Sequence, residues 1–314
     1  MAALQELWQA RPGRQQWRLT PSVRRDLRNG LLFVSPWLLG LLIFTLYPIV
    51  ASFYYSFTNY DIISPPVFVG LTNYKDLLTN DPLFWKAVGN TLYYVALAVP
   101  LNLLVALSVA LLLNLKVRGM VFYRTLFYLP SIVPDVAAAL LWGWILNSQF
   151  GLANAFLRSL GLPTVGWFTD PAWSKPALIL IGLWSVGGAM VIFLAALQDI
   201  PDYLYEAADL DGATALSKTW QITLPMLTPT IFFNLILGMI GAFQYFTTAF
   251  VLTGGGPVSS TLFYSLLLYS NAFSYFKMGY GSAMAWLLVA FIFLLTWIVF
   301  KTANRWVYYE GEGV

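Results

Sequence analysis

Residues 206–225 read EAADLDGATALSKTWQITLP and form one of the few polar segments of a chain of 314 residues. Long apolar runs lie before and after this segment. Buried in lipid, its charged side chains would lose their hydration without compensation. The segment therefore predicts a membrane protein that presents a polar helix to a partner in water.

The composition agrees with a membrane protein. Hydrophobic residues make up 59% of the chain and charged residues 10%, and the mean hydropathy is +0.69, whereas soluble domains carry about 25% charged residues. Six apolar runs are each long enough to cross a hydrocarbon core of about 30 Å. The runs cover residues 31–57, 87–113, 120–146, 177–197, 229–252 and 281–300. We expect an all-α polytopic fold with six transmembrane helices, the first retained because it is too long for a signal-peptide core.

The predicted organisation has three parts. A basic tail covers residues 1–30, a six-helix transmembrane domain covers 31–302 with a polar loop at 199–227, and a second tail covers 303–314. Prolines at 36, 48, 100, 130 and 134 lie inside the runs, where membrane helices tolerate them. We expect kinks near these positions.

The distribution of Lys and Arg predicts the orientation, because cytoplasmic loops of membrane proteins are enriched in both. Of the 17 cations, twelve lie on the side of the termini and the 199–227 loop. The five on the other side are Lys75, Lys86, Arg158, Lys175 and Lys277. Both termini are therefore expected in the cytoplasm. The basic tail is expected at the lipid headgroups, and its position beside a span argues against a nucleic-acid partner.

Several kinds of chemistry are excluded. The chain has no Cys and no His, which removes thiolate nucleophiles, Cys/His metal sites and His proton relays. A phosphate-binding G-x-x-x-x-G-K-[ST] loop is also absent from the sequence; the nearest match, Ser217-Lys218-Thr219, has no glycines. We expect no enzyme activity, no metal site and no cofactor in this chain.

The polar segment has internal order. Asp202 is the expected N-cap of a helix that places Asp202, Glu206 and Asp209 on one face. Gly212 is expected to end this helix or to allow close backbone approach, and a second short helix from Ala213 is expected to end before Pro225. Five acids and no base lie between positions 199 and 211. The alternative is a solvated loop with ordinary surface charges.

Glu-Ala-Ala, a glycine six residues after Glu206, and then Ile-x-Leu-Pro resemble the EAA loop of ABC importer permeases. This resemblance implies that the segment docks into an ATPase subunit. The residues that carry it are Glu206, Ala207, Ala208, Asp209, Gly212, Ile222, Leu224 and Pro225.

Further motifs are similar to sugar-type importer permeases of the maltose and glycerol-phosphate class. They are FVGLTNYKDLL at 68–78, FYRTLFYLP at 122–130, FGLAN at 150–154, IPDYLYEA at 200–207, LTGGGP at 252–257 and MGYGSAMAW at 278–286. LTGGGP is typical of the first of the two unlike permeases in that class. The large external insertion of the maltose member is lacking, so its loop contacts do not transfer.

The resemblance implies a type I ABC importer permease fold in a bacterial or archaeal cytoplasmic membrane. The implied partners are a second homologous permease, two ATP-binding subunits that hold ATP and Mg, an extracytoplasmic solute-binding protein, a carbohydrate and membrane lipid. The competing class is an ion-coupled secondary transporter, which favours several embedded acids or a histidine and often has inverted repeats.

The solute site is expected among polar and aromatic residues inside the runs. By the resemblance, Ser185 and Tyr245 fall at sugar-contacting positions, with Gln244 beside them. The predicted solute-binding residues are Asp135, Trp184, Ser185, Gln244 and Tyr245. Alternatively, Trp184 packs against neighbours and Ser185 bonds a neighbouring helix, the role also expected of Asn234.

Asp135 is the only acid that lies well inside one of the six apolar runs. A carboxylate is costly there unless it is paired or faces water. Three roles are open: capping amides freed by Pro134, contacting solute, or binding a coupling ion. The resembling family usually has a small or apolar residue near this position, so the resemblance assigns Asp135 no role.

Overall fold

The computed structural model describes residues 21–115 and 117–308. The predictions for most of the two tails and for Lys116 lie outside these residues. The chain divides into two units, Met1–Tyr54 and Tyr55–Val314. Helix α1 (Pro21–Leu41) passes through a π-helical turn, Leu42–Leu46, into α2 (Tyr47–Ser56), and the boundary between the units falls within α2.

The second unit is almost entirely helical. A two-stranded antiparallel sheet of β1 (Thr58–Asn59) and β2 (Val67–Phe68) precedes its helices. The helices are α3 (Thr72–Thr79), α4 (Pro82–Leu113), α5 (Met120–Tyr128), α6 (Asp135–Ile145), α7 (Leu152–Ser159), α8 (Pro171–Trp184), α9 (Gly187–Gln198), α10 (Asp202–Leu210), α11 (Ala215–Lys218), α12 (Leu224–Phe243), α13 (Thr247–Leu252), α14 (Tyr264–Tyr269) and α15 (Met278–Ala303). A 3₁₀ turn (Leu129–Ile132) and two π-helical stretches (Thr219–Thr223 and Ser270–Ser274) extend α5, α11 and α14.

The all-α membrane fold is confirmed. Four helices among the described residues are long and apolar enough to cross a membrane, and the number rises to six if each of two bent pairs is one span. The four are Arg24–Ser56, Pro82–Leu113, Ala215–Leu252 and Met278–Ala303.

Two of the six predicted runs are bent pairs of helices. The first bend lies where a kink is expected, near Pro130 and Pro134, whereas the second, at residues 185–186, is not predicted. Met120–Ile132 and Asp135–Ile145 meet at 99°, and Pro171–Trp184 and Gly187–Gln198 meet at 47°. Pro134 accounts for the first bend, because proline disfavours a helical conformation in the residue before it. Val133 accordingly has extended backbone angles, φ −68° and ψ 128°.

The fifth run begins earlier than predicted. The helix that starts at Ala215 does not end before Pro225 but continues through the Thr219–Thr223 stretch into α12. Pro225 follows the π-helical stretch directly, and membrane helices tolerate proline where such local adjustments re-satisfy the backbone. The span is then interrupted at residues 244–246, between α12 and α13.

Helix α4 is packed against α8, α9, α12 and α14. Its small residues Ala106 and Ala110 are fully buried beside Met190, Phe193 and Leu227. Small side chains let membrane helices approach closely and gain van der Waals contact. The resulting core fixes α9 against α4 and α12.

Gly187 marks a close approach at the bend between α8 and α9. A Cβ there would lie 2.9 Å from the Phe127 carbonyl oxygen and 2.9 Å from Ser131 Oγ, whereas a Cβ on Gly188 would meet nothing within 4 Å. Gly187→Ala is therefore expected to destabilise the protein by about 1–3 kcal/mol through overpacking. Thermal unfolding in detergent measures this, with Gly188→Ala as the matched control. Equal melting temperatures for the two variants would contradict the packing described.

The LTGGGP and MGYG motifs have structural roles. Gly254 and Gly255 take positive φ angles of +54° and +93°, which glycine adopts without strain. The Asn90 amide holds the following loop by donating to the Ser259 carbonyl at 2.8 Å. In MGYG, a Cβ on Gly279 would collide with the Thr58 carbonyl oxygen. These glycines shape the fold around the site rather than bind solute.

Candidate functional site

Three broken helices meet at one cavity. The breaks lie at residues 133–134, 185–186 and 244–246, and residues beside all three line a cavity of about 270 Å³. The second break separates α8, of 14 residues, from α9, of 12 residues, so it lies near the middle of that pair. Irregular backbone at membrane depth is tolerated where it lines a cavity, and transporters bind solute at such breaks.

All five predicted solute-binding residues line this cavity. Asp135 is the first residue of α6 and Trp184 the last of α8; Ser185 and Gln244 are the C-caps of α8 and α12. Their contact with solute stays a prediction. The sequence reasoning missed the remaining lining residues, which are Pro130, Val133, Ala138, Ile181, Gly182, Gly241, Phe246, Thr247 and Thr248.

Three polar side chains at the cavity are available to a ligand. Asp135, Ser185 and Gln244 are exposed, and their side chains make no hydrogen bond with any other residue that the structure describes. The interpretations of Ser185 as a helix-to-helix bond and of Asp135 as an amide cap are therefore wrong. The N-cap of α6 is Pro134, whose carbonyl accepts from the Ala138 amide at 3.0 Å.

Aromatic rings form the firm part of the cavity wall. The Tyr245 ring stacks on Tyr94 with centroids 4.3 Å apart and meets Phe263 edge-on at 5.4 Å. Trp184 packs edge-on against Trp142 at 6.0 Å. Trp184 thus packs as the alternative predicts and also lines the cavity, while its contact with solute stays a prediction. Two flat faces with fixed orientation suit the C–H face of a sugar ring.

The Tyr245 hydroxyl is a buried polar group within the wall. It makes no well-formed hydrogen bond among the described residues, although the hydroxyls of Tyr94 and Thr248 lie beside it. A buried hydroxyl without a partner is costly. A ligand or water that supplied the missing bond would be favoured at this position.

Tyr245 and Gly241 also line a second cavity of about 390 Å³, which includes Asn102 and Asn234. The Asn234 amide donates to the Thr230 carbonyl of its own helix at 2.9 Å. The expectation that Asn234 bonds a neighbouring helix is therefore wrong. Asn234 thus adds a polar side chain to the second cavity, which shares Tyr245 with the first.

In the polar segment, helix α10 begins one residue earlier than predicted. Pro201 is the N-cap and Asp202 the first helical residue. Gly212 ends the helix with a φ of +73°, and the Ala213 amide donates back to the Ala208 carbonyl at 2.9 Å. A Cβ on Gly212 would meet nothing within 4 Å, so among the described residues this glycine terminates a helix and does not allow a close approach.

The polar segment is tied to the base of α12. The Lys218 ammonium lies 2.7 Å from the Asp209 carboxylate, and the hydroxyls of Tyr205 and Thr223 lie 2.9 Å apart. Ile222 packs against the buried cluster of α4 and α9. An exposed ion pair by itself stabilises little. Together, however, these contacts fix the polar segment to the start of the span that contains α12, and this span reaches the cavity.

The outer surface of the segment is mixed in character. Glu206, Ala207 and Asp209 are exposed, as predicted from the acidic pattern. Sequence reasoning missed the apolar part, because Leu210 is 90% exposed and Leu216 is 69% exposed. Exposed apolar side chains rimmed by polar residues are typical of surfaces that bind a protein partner, and docking of this segment stays a prediction. Within residues 21–115 and 117–308, no group of three or more Asp or Glu residues is arranged to hold a metal ion.

Comparisons with known proteins agree with this architecture. Residues 102–307 match the family described as the binding-protein-dependent transport system inner membrane component. The chain is 43% identical to the probable ABC transporter permease protein YesP of Bacillus subtilis, over 96% of this chain and 98% of that protein.

Two further relatives carry solute names. The chain is 34% identical to the sulfoquinovosyl glycerol transport system permease protein SmoG of Agrobacterium fabrum, over 86% of this chain and 89% of that protein. It is also 34% identical to the trehalose/maltose transport system permease protein MalF of Thermococcus litoralis, over 90% and 95%.

Among solved structures, a chain of a bacterial alginate ABC transporter in complex with an alginate pentasaccharide-bound periplasmic protein is similar in fold. The TM-score is 0.77 at 24% identity, over 90% of this chain and 96% of that chain.

Proposed function

The chain belongs to the family of inner membrane components of binding-protein-dependent transport systems, and on that premise we propose that it is the permease subunit of an ATP-driven carbohydrate importer. One observation carries the proposal: the five polar and aromatic residues expected to bind a sugar line one cavity at three helix breaks. The sugar-derived names of relatives support the class of solute.

The proposed partners follow from the family. A second homologous permease would complete the cavity, two ATP-binding subunits would hold ATP and Mg, and an extracytoplasmic protein would deliver the solute. No cofactor is assigned to this chain. The protein lies in the cytoplasmic membrane, with both termini and the polar segment on the cytoplasmic side.

The proposed mechanism is alternating access driven from the polar segment. Closure of the ATP-binding subunits would move α10, and the contacts of Asp209 and Tyr205 would pass this movement to α12. The breaks at residues 185–186 and 244–246 provide places where packed helices change angle between two states. In one of the two states, the polar groups of the cavity would form hydrogen bonds with the sugar hydroxyls in place of water. In the other state, these bonds would break and the sugar would leave.

An ion-coupled secondary transporter is less well supported. Such proteins use several embedded acids or a histidine, and this chain has no histidine and one acid at the cavity. An exposed helix with protruding leucines also favours a protein partner in water, which an ion-coupled transporter does not require.

Assembly tests the proposal. A tagged form of this chain, expressed with the genes beside its own, is expected to co-purify with a second permease and two ATP-binding subunits. ATP hydrolysis by the complex should rise when solute-loaded binding protein is added, and the chain purified alone should hydrolyse none. Transport by this chain alone in liposomes would contradict the proposal.

The orientation gives a second prediction, and the absence of native cysteine makes it simple to test. Ile63, which is 88% exposed, lies in a proposed external loop, and Asn29, also exposed, lies on the proposed cytoplasmic side. A membrane-impermeant maleimide should label Ile63→Cys in right-side-out spheroplasts and Asn29→Cys only after permeabilisation. The reverse labelling pattern would overturn the orientation.

A further inference from the structure

We propose that Asp135 sets the charge selectivity of the solute cavity, which admits neutral or amino sugars and rejects acidic sugars. The inference rests on the proposed function, because it specifies the class of carbohydrate that the same cavity takes.

The charges at the cavity wall are unequal. Asp135 is the one residue with a carboxylate among those that line the cavity in the described chain, and none of these residues is Lys or Arg. The other polar side chains are neutral: Ser185, Gln244, Tyr245, Thr247 and Thr248. This chain therefore contributes a negative electrostatic potential to the solute position.

The carboxylate is free to act on a solute. It is exposed, makes no hydrogen bond or ion pair with another described residue, and lies close to Tyr245. Asp135 lies in the first turn of α6, and a helix N-terminus carries about half a positive charge. That charge offsets the carboxylate only in part, so a net negative charge remains.

The chemistry of the wall then discriminates between sugars. A carboxylate accepts hydrogen bonds from two neighbouring hydroxyls of a sugar, while Trp184 and Tyr245 offer flat faces to its C–H surface. The ammonium group of an amino sugar would be attracted. A uronate or sulfonate would meet a like charge at short range with no cation on this wall to pair with, and specificity arises from such repulsion as well as from attraction.

The electrostatic part is tested without any solute. With cysteine-free partner subunits, Gln244→Cys or Thr248→Cys is the single thiol of the detergent-solubilised complex. Its rates of reaction with a cationic and an anionic methanethiosulfonate reagent are measured. One nearby charge should favour the cationic reagent, and Asp135→Asn should lower the ratio of cationic to anionic rates by roughly 5- to 20-fold.

Two controls make the result specific. Ile63→Cys, an exposed position in the proposed external loop, should show the same ratio whether or not Asp135→Asn is also present, since it reports on a different surface. Asp135→Glu should preserve the ratio at Gln244→Cys. A ratio at both cavity positions that does not change in Asp135→Asn would overturn the inference, even if the complex imports sugar normally.

The solute part uses matched probes. Each neutral oligosaccharide is paired with its uronate counterpart, and both are screened for binding to the binding protein. The pairs in which both sugars bind are then offered to the reconstituted complex. The wild type should import the neutral member at least tenfold faster, and Asp135→Asn should narrow this difference. Equal import of both members by the wild type would overturn the inference while leaving the proposed function intact. Failure to import any sugar, with the rate ratios as expected, would instead count against the proposed function.

Discussion

Replacing Glu206 with alanine is expected to reduce ATP-driven uptake at least about tenfold while the complex still assembles in the membrane. Glu206 is exposed on α10 and has no role in packing the spans. A charge-assisted contact at a docked surface contributes about 1.5–3 kcal/mol, and every 1.4 kcal/mol is about tenfold in an equilibrium constant. Uptake and ATP hydrolysis, both measured in proteoliposomes and normalised to assembled complex, give the size of the effect.

Asp211→Ala is the matched control. Asp211 is an exposed acid of the same segment, but five residues at about 100° each turn it to the opposite side of the helix from Glu206. It should retain uptake within about twofold, as expected for a surface substitution away from special features. Equal losses of uptake in the two variants would mean that the total charge of the segment matters, and not one docked face of α10. The proposed coupling role of Glu206 would then be wrong.

Tyr245→Ala is expected to lower uptake at least about tenfold, the second large effect. The ring is a wall of both cavities and stacks on Tyr94, so alanine removes the flat face and joins the two spaces. Aromatic pairs contribute about 0.5–1.5 kcal/mol beyond the area that they bury, in addition to the lost contact with sugar. Tyr245→Phe keeps the ring, so we expect it to lose only the contribution of the hydroxyl.

Gln244→Ala separates solute contact from folding. Its side chain is exposed and bonds no described residue, so stability should not change, whereas uptake should fall by the roughly 0.5–1.5 kcal/mol of one hydrogen bond. Gln198, exposed at the end of α9, is a matched glutamine away from the cavity. Wild-type uptake in both Tyr245→Ala and Gln244→Ala would move the solute site to the partner permease. Asn234 is unsuitable as a control because it lines the second cavity.

The helical membrane fold follows from apolar run length, because lipid leaves the backbone few alternatives to a helix. Pro134 also predicts the break before Asp135. The 99° angle between Met120–Ile132 and Asp135–Ile145 has no such signal in the sequence. Residues 244–246 are Gln, Tyr and Phe, without proline or glycine, and their break comes from tertiary contacts. For the same reason, the helix that starts at Ala215 continues past Pro225, although the sequence predicts that it ends before this proline.

The cavity residues were predictable where polarity is unusual inside an apolar run, as for Asp135 and Gln244. Thr247 and Thr248 gave no signal, since threonine is common in spans and bonds its own helix. The exposed surface of the polar segment was half predicted. The acids of α10 are evident in the sequence, but the exposure of Leu210 depends on how the chain turns at Gly212.

Solute uptake by the purified complex in proteoliposomes distinguishes ATP-driven import from ion-coupled transport. Binding protein and solute are placed outside, and either ATP or an ion gradient is the energy source. We expect uptake that requires enclosed ATP and external binding protein, is unaffected by ionophores, and is strongly reduced in Tyr245→Ala. Uptake driven by a proton or sodium gradient without ATP would contradict this expectation.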